Sequence, residues 1–126
     1  MLAETISKEN IAAVREALRR LGLVVAEVDR NLRYVWIDNP HPDFDPRDVL
    51  GKRDDQLIPE QEAAQMMALK RAVIASGVAA TRLLTFDRSD GRHYYNVSAV
   101  PVRDSTGRVT GALTAAVQVA APPPAR

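Results

Sequence analysis

His41 and His93 are the only histidines in this chain of 126 residues. His41 lies in the stretch WIDNPHPDFDP, residues 36–46, with Asp38, Asp43 and Asp45 around it. An imidazole among carboxylates could hold a divalent metal or move a proton. The spacing speaks against a metal: the acids around His41 match no ligand motif, and His93 is distant in sequence on another element. Asp residues between prolines are turn formers and caps, so no metal site is expected. No catalytic constellation is expected either. There is no Gly-x-Ser-x-Gly elbow and no Gly-rich phosphate loop ending in Lys-Ser/Thr. The neighbours Asp54 and Asp55 stand just before a helix, where capping explains them. Cysteine is absent, which excludes disulfides, thiolate ligands, a cysteine nucleophile and a covalent flavin adduct.

Composition narrows the class further. Hydrophobic residues make up 46%, enough for one folded domain with a real core. Seventeen basic and sixteen acidic residues leave a net charge of +1. Such a balance, without a basic block, gives no footprint for nucleic acid. No apolar run approaches the ~20 residues that span a bilayer, and MLAETISKEN is not a signal peptide. A cytoplasmic domain without a membrane partner is expected.

The elements that must position these residues follow from periodicity. SKENIAAVREALRRL, residues 7–21, reads as a helix capped by Ser7 and stopped by Gly22. Its stripe Ile11, Val14, Leu18 and Leu21 could dock on its own domain or on a second copy, and a homodimer is expected. LVVAEVD (23–29) and LRYVWID (32–38) form a hairpin. Three prolines in seven residues then enforce an irregular crossing, and DPRDVLG suits one helical turn with Asp45 as cap. A long helix over 59–77 carries Ala63, Met66, Leu69 and Val73 on one face. Three strands close the domain, over 78–87, 92–102 and 108–119, with a hairpin signal at Asp90 and Gly91. Alternation turns His93, Tyr95, Val97 and Ala99 inward. The order predicts an α+β fold: a five-stranded antiparallel sheet, with short helices and one long helix on one face. The domain plan is a flanking helix over 1–21, the body over 22–119 and a loose tail over 120–126.

This layout resembles a PAS domain. The residues that carry the likeness are DRNLRYVWIDNP, DPRDVLGK and DGRHYYNVSAVPVRDSTGRVTG, and it covers about residues 21–119. The segment LRYVWIDNPHPDFDPRDVLGKRDDQLIPEQEA is especially similar to PAS sensor domains placed ahead of bacterial histidine kinases, the HWE type among them. The resemblance implies a sensory or interaction module, not an enzyme. It implies a pocket between sheet and helices that takes a small molecule or cofactor and relays a change to a kinase or other effector. Trp36, Asn39, His41, Met66, Tyr95 and Val97 are the candidate ligand-binding residues. The cofactor is open. Haem is disfavoured, because haem-binding PAS domains of the best-known type place a histidine on the long helix and residues 59–77 have none. His41 and His93 remain formal axial candidates, and a non-covalent flavin could face Trp36. Kinase-linked PAS domains commonly end in Asp-Ile-Thr and a coiled coil, whereas this chain ends VQVAAPPPAR. The alternative reading is a ligand-free PAS module for homodimerisation or protein docking.

Overall fold

Two periodicities sort the chain into layers: apolar residues every three or four positions over 8–20 and 60–76, and strand-like alternation in the segments that follow each, 24–38 and 80–119. The computed structural model describes residues 7–124. Its elements are helix α1 (Lys8–Arg20), strands β1 (Val24–Asp29) and β2 (Tyr34–Asp38), and the single-turn helix α2 (Pro46–Val49). A 3₁₀ turn (Asp54–Gln56), helix α3 (Glu60–Ser76) and strands β3 (Ala80–Arg88), β4 (Gly91–Arg103) and β5 (Val109–Val119) complete them. The sheet runs β2-β1-β5-β4-β3 with every pair antiparallel. This is the predicted α+β arrangement. Residues 1–6 and 125–126, which fall in the expected flanking segment and tail, lie outside the described residues. Among the described residues no helix is long and apolar enough to cross a membrane.

Helix α3 brings Ala63, Met66, Leu69 and Val73 into one core with Leu84 and Phe86 of β3, and Tyr95, Val97 and Ala99 of β4. Glu60 and Glu62 occupy its positive first turn, and Gly77 ends it in the left-handed region at φ 69°. Gly111 answers a different need. A Cβ there would meet the Val28 carbonyl oxygen of β1 at 2.0 Å, so only glycine lets β1 and β5 pair so closely.

The first hairpin contains a β-bulge. Val28 pairs with Tyr34 but Glu27 pairs with Trp36, which leaves Val35 as an extra residue on β2. The bulge flips the alternation. Tyr34 faces the core beside Val28, whereas Trp36 faces the other way and donates from its indole nitrogen to Glu27 Oε1 at 3.0 Å. Asp38 falls on the same outer side, opposite Val25.

Helix α1 starts at Ser7, whose hydroxyl accepts from the Asn10 amide. It buries none of its residues. Its hold on the sheet is ionic: Arg15 and Arg19 both donate to Asp38 Oδ1, at 3.1 and 2.8 Å. Burial pushes the Asp38 carboxyl up, but hydrogen bonds from Arg19 and Arg15, with their charge, outweigh it and hold the group below its ordinary 3.8. The grip is therefore complete above pH 3.8 and is lost as pH falls below it. Both arginines are about half exposed, so solvent screening keeps the attachment weak. Asp38→Asn should free α1 without unfolding the sheet. Amide hydrogen exchange should then accelerate over residues 8–20 and stay unchanged in β4 and β5; the wild type should lose α1 protection in the same way on acidification.

Candidate functional site

Met66 and Lys70 are one helical turn apart on α3, and Val73 follows on the same face. A lysine in that stripe must enter the core. It does so completely, with no exposed surface. An ammonium cannot stand there alone. Lys70 Nζ donates to Asp54 Oδ2 at 2.6 Å and to the Tyr34 hydroxyl at 2.9 Å, and that hydroxyl donates to Asp54 Oδ1 at 2.6 Å. The ammonium also lies 4.3 Å from the centre of the Tyr34 ring. The three groups come from α3, the 3₁₀ turn and β2, and close a ring of charge-assisted hydrogen bonds. Burial pulls the Lys70 pKa below its ordinary value, against the pull of Asp54. Burial, then the Asp54 charge and hydrogen bond, push the Tyr34 phenol well above 10.0. Asp54 is thus not the cap expected from sequence. Asp55 alone keeps a local role, accepting from Arg53 at 3.1 Å.

Beside this ring the sheet and helices enclose a cavity of about 100 Å³. Ile37, Leu57, Ile58, Met66, Val97 and Ala116 give it apolar walls, and Tyr34 and Asp54 form a polar one. At the rim stands Arg88, whose guanidinium lies 5.0 Å from the Phe44 ring centre and 4.8 Å from that of Phe86. It also donates to Glu62 Oε1 at 3.1 Å. The Tyr95 phenol borders the same space and is pushed up by burial. A small, largely apolar molecule fits such walls, oriented by the Tyr34–Asp54 side or by Arg88.

His41 lies at the rim too, on the crossing after β2. The fold undoes its separation from His93 in sequence: the two rings approach to 5.3 Å between centres. Asp90, in the β3–β4 turn, accepts on one oxygen from both, at 2.9 Å from His41 Nε2 and 2.7 Å from His93 Nε2. Asp43 ties the crossing to the same turn by accepting from the Ser89 amide at 2.8 Å and from the Ser89 hydroxyl.

Four of the six candidate ligand-binding residues, His41, Met66, Tyr95 and Val97, border the cavity. Trp36 and Asn39 do not. The bulge at Val35 turns Trp36 to the outer face, which strict alternation could not foresee. Asn39 adopts φ 59° and spends its amide on the Leu23 carbonyl at 3.0 Å, as a turn former. The stripe residues Ile11, Val14 and Leu21 are exposed and Leu18 is half-buried. Sequence reasoning missed Tyr34, Asp54, Lys70 and Arg88. Lys70 had a signal, a charged residue at a core position of an apolar stripe.

Residues 18–122 match the model of the PAS fold. The chain belongs to the PAS family. Histidine kinase 5 of Arabidopsis thaliana is 28% identical to this PAS domain over 95 residues, 75% of this chain and 10% of that protein. Among solved structures, the Vibrio cholera VqmA–ligand–DNA complex superposes with a TM-score of 0.75 at 21% identity, over 90% of this chain and 52% of that one. A sensory box sensor histidine kinase from Vibrio cholerae gives 0.67 at 14% identity, over 90% and 94%. This PAS domain therefore resembles the sensor domains found ahead of histidine kinases, and it spans only a tenth of the length of the plant kinase.

Breaking the buried ring should be costly. Lys70→Met strands the Asp54 carboxylate and should destabilise by about 3–5 kcal/mol in urea unfolding. The double variant Lys70→Met, Asp54→Leu should cost less than Lys70→Met alone, because no buried charge is then left unpaired.

Proposed function

We propose that this PAS domain is a sensory module that holds a small, mostly apolar molecule in the cavity between sheet and helices and relays its presence to a partner or effector. One observation carries the reading: an apolar space with convergent polar groups, Tyr34 and Asp54 on one side and Arg88 and His41 at the rim. Buried polar groups around an apolar space are the usual makings of a specific small-molecule site. The VqmA complex, whose own name includes a ligand, supports it by likeness of fold. The kinase relatives support a histidine kinase as effector, and a cytoplasmic site of action is part of the proposal. Nucleic acid is not part of the proposal for this domain, whose charges nearly balance.

The second reading is a docking or homodimerisation module without a ligand. It rests on α1, where Ile11 and Val14 are each 47% exposed and Leu21 is 70% exposed. A stripe of this kind is often covered by another chain. The two readings are compatible, since a paired α1 could carry the output of an occupied cavity.

Native and denaturing mass spectra of the purified chain test the first reading. A small mass present in the native spectrum and lost on denaturation is expected, and Ala116→Phe, which fills the cavity, should abolish it. A ligand that survives Ala116→Phe would place binding elsewhere. For the second reading, Leu18→Glu should convert dimers to monomers in analytical ultracentrifugation while the thermal unfolding transition is kept.

A further inference from the structure

We propose that His41, Asp90 and His93 form a binding site for a borderline divalent transition-metal ion such as Zn²⁺, Co²⁺ or Fe²⁺. One donor atom from each lies within 4.8 Å of the others. The set is two imidazoles and one carboxylate, which suits such ions and leaves coordination positions free for water or a ligand atom. Both Nε2 atoms already aim at one oxygen of Asp90, at 2.9 and 2.7 Å. Two neighbouring donors on an octahedral ion at 2.0–2.1 Å stand about 3 Å apart, so small side-chain rotations would admit the ion.

The surroundings favour a site over a chance meeting of side chains. The His41 and His93 side chains are only 11% and 13% exposed, whereas Asp90 is open at 58%, which gives an entry path. The donors come from two segments far apart in sequence, and Asp43 fastens these segments together through Ser89. His41 Nδ1 accepts from the Asp43 amide at 3.0 Å and lies 3.5 Å from Asp43 Oδ1. Metal binding at Nε2 moves the ring proton to Nδ1, so the ring must turn from the Asp43 amide toward the Asp43 carboxylate, which then accepts that proton. His93 Nδ1 is buried and has no hydrogen-bond partner among the described residues. The proposal does not depend on whether the cavity takes a ligand, although a metal held by His41 would sit at the cavity rim.

The test uses the untagged chain, stripped of metal by chelator, with Co²⁺ and Zn²⁺ as probes. Calorimetry should show one Zn²⁺ per chain, and Co²⁺ should give a visible absorption band. Asp90→Asn and His93→Gln should each weaken binding by at least about tenfold. Circular dichroism keeps the comparison among folded variants. In the wild type, Co²⁺ should move the ring-proton NMR signals of both histidines together, a readout that needs no variant. Absence of one-to-one binding, unchanged affinity in Asp90→Asn and His93→Gln, or a shift of one histidine only would overturn the proposal.

Discussion

A lysine ammonium with no access to water, paired with a carboxylate at 2.6 Å, is the constraint on which this PAS domain is assembled. Apolar contacts between α3 and the sheet are non-directional and would tolerate small sliding. The Lys70–Asp54–Tyr34 ring does not tolerate it. Each oxygen of Asp54 has its own donor, and the Tyr34 hydroxyl both gives and receives. The ring fixes α3, the 3₁₀ turn and β2 at one relative position. Because Tyr34 and Asp54 also border the cavity, the interaction that fixes the helices supplies the cavity's polar wall.

The mouth of the cavity is built differently. Its parts are an irregular crossing and a hairpin turn, neither of which carries core residues of its own beyond half-buried Phe44. They are held by polar contacts across the gap: Asp43 with Ser89, and His41 with Asp90. A regular core thus stands behind the cavity and a polar clasp in front of it.

Local patterns carried most of the fold. The helical stripe of α3, the Asp90–Gly91 turn and the alternation of β4 are each written in a few neighbouring residues, and the elements appear within about two residues of their expected bounds. The cavity wall was legible where alternation alone decides, as for Tyr95 and Val97. It was illegible where two distant segments must meet. Nothing near Asp54 in sequence announces Lys70, and nothing near His41 announces His93. Trp36 shows a third kind of limit: one extra residue in β2 reverses the facing of everything after it, and a bulge at Val35 has no composition that marks it.

Asp38 is the last residue of β2, and the crossing that bears His41 begins with the next residue. On one side of this carboxylate are two water-exposed arginines, and on the other is the strand end that leads to the rim. The joint between α1 and the sheet is thus a peg in an electrostatic collar. Dissolved ions slacken such a collar, because its arginine half lies in solvent where charges are screened over about 8 Å at physiological ionic strength. The apolar core is not slackened in this way. Ionic strength therefore acts as a separate control on how firmly the helix follows the strand end, leaving the body of the domain rigid.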